Sequence, residues 1–419
     1  MRKNYLLLLW LPLFLLFLTR NQAVHAAAFT PGNVVIYRVG NGVGSLVNTG
    51  NPVFLDEYTS TGSLVQSIPL PTTASGGNFP LIASGTASSE GLITLSTDLQ
   101  KLLLTGYGST IPCSVSCSAT TATTIPRVVA VVSSNGSINS TTALTDFASI
   151  SNPRSAVSLN GTSIWVAGGT GGPRFAILGA TTSTQISTSP SNLRQLHIFA
   201  NQLYTSSASG AIRLARIGTG LPTTTGQTIT SLPGFPTSGG GPYGFAFADL
   251  TSSVAGVDTL YVADETSLAL TKYSLVGGNW VSKGTIGTAT DAYRGLTALR
   301  SGSSVLLYAT RRGGTGATGG GELVRLVDNS GYNGAFTGTP TLLATAATNT
   351  AFRGVAFAPG TGPTALTLTS PQTQTQTSRT LSWLVLGITG MIAALTVYFY
   401  SPKRRLHLSP INPAEKTID

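Results

Sequence analysis

The chain has 419 residues and a formal net charge of +10, yet only 9% of its residues are charged while 41% are hydrophobic. Disorder requires low hydrophobicity and high charge, so this composition excludes a disordered chain. A charge-poor sequence rich in glycine and threonine favours an all-β fold with many turns. No Lys/Arg cluster with interleaved aromatic residues is present, which argues against nucleic-acid binding.

The N-terminus predicts a secretory signal peptide over residues 1–27. Arg2 and Lys3 precede an apolar run at 5–18, and the small residues of AVHAAA follow, with cleavage expected after Ala26 or Ala28. The alternative is an uncleaved anchor, which the short run and its flanks disfavour.

A second apolar run, residues 381–400, is long enough to cross the roughly 30 Å hydrocarbon core as a transmembrane helix. Trp383 and Tyr400 lie near its ends as interfacial anchors, and the basic residues 403–405 predict a cytoplasmic tail over 401–419. A GPI signal is disfavoured because its apolar tail normally ends the chain. We expect a single-pass protein of the cell membrane whose N-terminal domain is extracytoplasmic.

The folded domain is predicted over residues 28–365, followed by a flexible Thr/Gln-rich stalk over 366–380. This extracytoplasmic part has 17 basic and 12 acidic residues, a net charge of +5. Cys113 and Cys117 are expected to form a local disulfide, because two cysteines without a nearby histidine fall short of a zinc site. Three triplets are glycosylation candidates if the host glycosylates: Asn135, Asn139 and Asn160.

A short apolar phrase recurs through the domain and predicts its architecture. Its six copies begin 40 to 64 residues apart, at Glu90, Arg154, Arg194, Tyr243, Arg294 and Arg353. After each of the first five copies come a second run with an aromatic residue, a third run and a weaker fourth run. Four strands per unit at this period are typical of a β-propeller blade.

The two ends of the domain are incomplete in complementary ways. Residues 33–71 contain a second, third and fourth strand without a first, whereas 352–360 is a first strand without successors. Pairing the two predicts a ring closed by both termini, without an exposed sheet edge. The count is then six blades, although the interval of 64 residues after Glu90 could hide an extra hairpin and give seven.

This layout resembles the six-bladed propellers of the NHL and YWTD superfamily. Residues 258–275, DTLYVADETSLALTKYSL, are the best single match, and the resemblance covers most of 30–362. It concerns the fold, and no specific family is identified. It implies a central channel lined by the innermost strands, with ligands usually bound where those strands begin.

The beginnings of the six phrases would place one residue of each blade around the mouth of that channel. The ligand-binding candidates are therefore Arg154, Arg194, Tyr243, Arg294, Arg353 and Glu90. Four arginines would form an electropositive funnel whose planar donors suit carboxylate, sulfate or phosphate groups. In the alternative, structural interpretation, the arginines pair with Glu90 and with loop carbonyls and fasten the blades together.

The sequence contains none of the usual catalytic motifs, such as G-x-S-x-G or HExxH. His197 is the single histidine of the mature extracytoplasmic part, and it lies in a predicted innermost strand. Asp264 and Glu265 could join a metal site, but such a pair more often caps a turn. We therefore expect no enzyme, no metal and no cofactor.

The favoured function is a membrane-anchored binding module for an anionic small molecule or a glycan at the channel mouth. One alternative is a cell-surface adhesion or scaffold protein that displays its loops to a protein ligand. A second alternative is a lactonase-like hydrolase.

Overall fold

The computed structural model of the chain describes residues 27–360, whose regular structure is almost entirely β-strand. The predicted transmembrane run, the stalk, the tail and all but the last residue of the signal peptide lie outside the described residues. Within 27–360, no helix has the length and hydropathy needed to cross a membrane.

The first half of the described chain contains β1 Val34–Val39, β2 Asn51–Tyr58, β3 Leu64–Pro69, β4 Ile82–Ala83, β5 Thr94–Leu95, β6 Lys101–Tyr107, β7 Arg127–Ser133, β8 Ile138–Leu144, β9 Pro153–Ser158, β10 Ser163–Gly168, β11 Arg174–Ile177 and β12 Thr184–Gln185. The second half contains β13 Leu196–Phe199, β14 Gln202–Ser206, β15 Leu214–Ile217, β16 Ile229–Ser231, β17 Pro242–Ala248, β18 Thr259–Asp264, β19 Ala269–Val276, β20 Asn279–Ile286, β21 Leu296–Ser301, β22 Ser304–Arg311, β23 Gly319–Gly320, β24 Glu322–Asp328, β25 Thr341–Thr345 and β26 Thr350–Phe357. A 3₁₀ turn, Cys117–Ala119, precedes β7.

These strands form a β-propeller arrangement, which confirms the predicted all-β fold. Four separate four-stranded sheets contain β9 to β12, β13 to β16, β17 to β20, and β21, β22, β24 and β25. The other ten strands form one sheet, in which β26–β1–β2–β3 and β5–β6–β7–β8 are consecutive antiparallel runs. β4 joins these two runs by pairing with both β2 and β6. We call each run or sheet of four strands a unit.

The last strand of the described chain pairs with the first. β26 lies antiparallel to β1, with Phe357 opposite Val34 and Ala351 opposite Val39. β1 then pairs with β2, and β2 with β3. The predicted pairing of the C-terminal phrase with the strands of 33–71 is therefore observed.

The connection between β6 and β7, residues 108–126, accounts for the longest interval between phrases. It contains no strand, and the predicted disulfide between Cys113 and Cys117 forms within it. The backbone N–H of Cys113 donates to Thr49 O (2.6 Å), and that of Cys117 donates to Asn48 O (3.0 Å). The disulfide loop is thus fixed against the loop that joins β1 to β2.

The aromatic residue of the second strand joins each of five units to the next one along the ring. The contacts are Tyr37 Oη to Thr105 O (3.2 Å), Trp165 Nε1 to Pro222 O (2.7 Å), the rings of Tyr204 and Phe247 (4.7 Å), Tyr261 Oη to Asp328 Oδ2 (2.7 Å), and the rings of Tyr308 and Phe357 (5.7 Å). Burial of a large side chain contributes roughly 1.5–3 kcal/mol. The aromatic residue that recurs in the sequence therefore makes the same kind of contact between consecutive units.

The glycine after the first residue of several phrases lets neighbouring innermost strands approach at backbone distance. The N–H of Gly354 donates to Gly91 O (2.9 Å), and a Cβ on Gly354 would lie 2.4 Å from that oxygen. A Cβ on Gly244 would lie 2.5 Å from Arg294 O, and one on Gly295 would also meet backbone atoms of the next strand. Only glycine fits where these strands meet.

Gly354→Ala is expected to lower the free energy of unfolding by about 1–3 kcal/mol. The added methyl group would clash with backbone atoms, which cannot rotate away as a side chain could. Gly44→Ala is the matched control, since nothing lies within 4 Å of its Cβ position, and its effect should stay within about 0.5 kcal/mol. Urea unfolding of both variants measures the difference. Equal stability of the two variants would contradict the close approach of the innermost strands.

Candidate functional site at the channel mouth

Three side chains at the beginnings of innermost strands and one carboxylate that directly follows β18 form a cluster, which we call the mouth cluster: Arg194, Tyr243, Arg294 and Glu265. The guanidinium carbons of Arg194 and Arg294 lie 4.0 Å and 5.4 Å from the centroid of the Tyr243 ring. Glu265 forms an ion pair with Arg194 and lies 3.5 Å from Nη2 of Arg294. A single aromatic ring and a single carboxylate thus hold two cations together.

The remaining candidates surround this cluster. The pKa of Arg353 is lowered to about 10, first by burial and then by the positive charge of Arg294. Burial also lowers the pKa of Arg154. The positive charge of Arg194 lowers this pKa further, whereas the negative charge of Glu90 raises it. An added Cβ on Gly313 would lie 3.6 Å from Nη1 of Arg353 and 3.8 Å from Nη1 of Arg294, so these two guanidinium groups lie close to each other beside that glycine.

The carboxylate of Glu90 is held by hydrogen bonds from neighbouring residues, and within residues 27–360 it forms no ion pair with an arginine. Its carboxylate accepts hydrogen bonds from Ser84 N–H (3.0 Å), from Asn152 Nδ2 (2.5 Å) and from the hydroxyl of Tyr107. Burial raises the pKa of Glu90, and the bonds from Tyr107 and Asn152 act against this rise. The expected pairing of the arginines with Glu90 is therefore corrected, because Glu265 takes that role.

All four arginines also bind loop carbonyls, as the structural interpretation of the sequence expects. Their contacts are Arg154 Nη1 to Asn192 Oδ1 (2.6 Å) and Leu193 O (2.9 Å), Arg194 Nη1 to Gly241 O (2.6 Å), Arg294 Nη1 to Gly313 O (3.0 Å), and Arg353 to Gly314 O (3.1 Å) and Gly85 O (3.0 Å). Asn192, Leu193 and Gly241 lie in connections between consecutive units, and Gly314 lies in the unit that precedes β26. The arginines therefore fasten units together at the mouth.

These contacts leave donors unused. The Nε–H groups of Arg154, Arg294 and Arg353 are buried and have no hydrogen-bond partner among residues 27–360. An unpaired buried donor costs about 1–3 kcal/mol.

His197 lies apart from the mouth cluster. Its ring stacks on Phe199 with 4.3 Å between the centroids, and its Nδ1 accepts a hydrogen bond from Ile198 N–H (3.1 Å). Burial lowers the pKa of His197 to about 4, so the imidazole is neutral at neutral pH. This agrees with the interpretation of His197 as a packed histidine with a satisfied hydrogen bond.

The adjacent residues Asp264 and Glu265 have different roles. Asp264 caps a turn, because its Oδ1 accepts from Thr266 N–H (2.8 Å) and Ser267 N–H (2.9 Å), whereas Glu265 joins the mouth cluster. No group of three or more His, Cys, Asp and Glu side chains in the described part of the chain could hold a metal ion. Sequence reasoning missed Glu265 as a site residue, although its position directly after a second strand was visible.

The glycosylation candidates differ in accessibility. Asn135 and Asn160 are exposed in hairpin turns, whereas Asn139 is half-buried in β8. The Oδ1 of Asn139 accepts a hydrogen bond from the hydroxyl of Thr141 (2.7 Å). Asn135 and Asn160 are therefore the better placed acceptors.

The sequence matches no family profile and no curated protein. Solved structures that resemble the chain include the periplasmic gluconolactonase of Pseudomonas aeruginosa (12% identity, 75% of this chain, 82% of that chain, TM-score 0.40), the nidogen/laminin complex (11%, 78%, 98%, 0.44) and the soluble aldose sugar dehydrogenase of Escherichia coli (13%, 71%, 99%, 0.43). The likeness concerns the propeller fold alone, and no residue role is transferred from these proteins.

The expectation that the chain is not an enzyme is corrected here. A gluconolactonase and a sugar dehydrogenase are among the solved structures that resemble the chain in fold. Functional residues on such a frame come from loops of separate units, so they leave no contiguous motif in the sequence. The missing motif was therefore no ground for excluding catalysis.

Proposed function

We propose that the ring has six blades, each corresponding to one unit. The ten-stranded sheet then counts as two blades that β4 joins, as the two consecutive four-strand runs within it support. The connection that could have contained a further hairpin, residues 108–126, contains the disulfide loop instead.

We also propose that the propeller is displayed outside the cell membrane. In this proposal residues 1–27 are the signal peptide, 366–380 the stalk, 381–400 the transmembrane helix and 401–419 the cytoplasmic tail. The disulfide between Cys113 and Cys117 supports an oxidising compartment. A protease added to intact cells should release the propeller and leave a tag placed after Asp419 intact; digestion of that tag would contradict the orientation.

We propose that the channel mouth binds a small molecule that carries a carboxylate or phosphate group. The observation that carries this proposal is the charge balance: within residues 27–360, Arg194 and Arg294 share the carboxylate of Glu265, whereas Arg154 and Arg353 form no ion pair. Bidentate contacts from arginine to an anion are among the strong hydrogen bonds of proteins.

Arg294 is the best place to test the proposal. Its side chain is 18% exposed, and it makes a single bond to a loop carbonyl, so its replacement should not unfold the ring. Arg353, which is 3% exposed and ties two loops, is a poor choice because its loss would lower stability as well.

Inorganic phosphate and citrate should bind to the full-length chain, whereas glycerol should not. Arg294→Gln should weaken the binding at least tenfold, equivalent to about 1.4 kcal/mol. Added salt should weaken it too, since salt screens charges over about 8–10 Å. Isothermal titration calorimetry measures all three effects.

The matched control is Arg300→Gln, which removes the same charge from an exposed arginine of β21 that donates to Gly302 O (3.0 Å). It should leave the affinity unchanged. Failure of both anions to bind at about 10 mM, or an equal loss in the two variants, would overturn the anion site.

A further inference from the structure

A groove of about 440 Å³ lies between the unit of β13 to β16 and the unit of β17 to β20. Tyr243, the second residue of β17, lies at the mouth, so the turn between β17 and β18 lies at the opposite end of the unit. Residues 255–257 of that turn line the groove, as does Gly278 in the turn between β19 and β20. The groove is therefore separate from the channel mouth, and we call it the Tyr204 groove.

One wall of the Tyr204 groove is aromatic. The ring of Phe247 lies 4.7 Å from that of Tyr204 and 5.4 Å from that of Trp280, measured between centroids. Val257 and Leu275 add aliphatic surface. Such a wall favours a ring-shaped group, because aromatic side chains attract other rings at separations of about 4.5–7 Å.

Three hydrogen-bond donors of the groove are unused. Arg216 lies directly opposite Tyr204 in the pairing of β14 with β15, and within residues 27–360 its guanidinium has no hydrogen bond and no ion pair. The Tyr204 hydroxyl and the indole N–H of Trp280 also lack a hydrogen-bond partner in that part of the chain. Trp280 is only 5% exposed, so its free N–H belongs to a nearly buried side chain that lines the groove.

The charge of the groove has one sign. Among the side chains that line it, Arg216 is charged, none is a carboxylate, and Thr230 and Ser231 supply hydroxyl groups. A cation without a partner, beside two neutral donors, is complementary to an anion that can accept several hydrogen bonds.

We infer that the Tyr204 groove binds a small organic carboxylate with a six-membered ring. The carboxylate lies on the guanidinium of Arg216 and accepts hydrogen bonds from Tyr204 and Trp280, while the ring packs against the aromatic wall. The volume of the groove lies within the roughly 300–1,000 Å³ of known ligand sites and suits a ligand of this size. The inference does not depend on the anion site at the mouth, because no residue is shared.

Titration of the full-length chain with two carboxylates and their neutral counterparts tests this inference. Benzoate represents a flat aromatic ring and glucuronate a sugar ring; benzyl alcohol and methyl glucoside are the neutral probes. At least one carboxylate should bind at least tenfold more tightly than its neutral counterpart, and the stronger of the two identifies the source of the ring.

Three variants then assign the site, because each removes one donor and preserves most of the shape. Arg216→Gln should weaken the binding of the carboxylate at least tenfold, and Tyr204→Phe and Trp280→Phe about threefold to tenfold each. Arg300→Gln, the exposed arginine control, should change nothing. Thermal unfolding of each variant verifies that it is folded.

Three results would overturn the inference. The first is that neither carboxylate binds at about 10 mM. The second is that a neutral probe binds as well as its carboxylate. The third is that binding survives Arg216→Gln but is lost in Arg294→Gln, which would place the anion at the channel mouth.

Discussion

The antiparallel pairing of β26 with β1 is the constraint on which the rest of the structure depends. It joins residues from opposite ends of the described chain, and it completes a unit that neither end could form alone. Without β26, the backbone groups of β1 and β23 that pair with it would be left at exposed sheet edges. β26 also contains Arg353 and Gly354, so the strand that closes the ring also completes the channel mouth.

The arginines of the mouth have a structural role, and the proposed binding role would use the same side chains. The terminal nitrogen atoms of the arginines donate to loop carbonyls, whereas three Nε–H groups have no acceptor among residues 27–360. Glu265 compensates two of the cations and Glu90 is committed to Tyr107, Asn152 and Ser84. The mouth therefore keeps an excess of positive charge on a frame that the same cations help to make rigid.

The strand phrases and the closure could be predicted from the sequence because each unit repeats the same burial pattern. The phrase at Glu90 is an exception, since only Thr94 and Leu95 of EGLITL are in a strand. Leu92 N–H there donates to Arg154 O (3.1 Å), so part of the phrase bonds to the next unit instead of its own. The sequence pattern of a strand does not show which neighbouring unit it bonds to, because either pairing would bury the same side chains.

The role of Glu265 and the Tyr204 groove could not be predicted for a related reason. Glu265 pairs with Arg194 of one neighbouring unit and with Arg294 of the other. The blade pattern does not predict contacts between residues so far apart in the sequence. The groove is formed where β14 and β15 face β17 and β20, and its aromatic residues have the spacing of ordinary core positions. The sequence repeat predicts the propeller fold, whereas the mouth cluster and the Tyr204 groove depend on contacts between units that the repeat does not specify.

Native-state hydrogen exchange of the β26 amides tests most directly whether ring closure holds the mouth together. If it does, residues 350–357 exchange only through global unfolding, with the same free energy as the amides of β1 and of the central strands β18 and β22. Exchange of β26 at a clearly lower free energy, while the other units stay protected, would contradict the account, because the ring and its mouth would then persist without their closing strand.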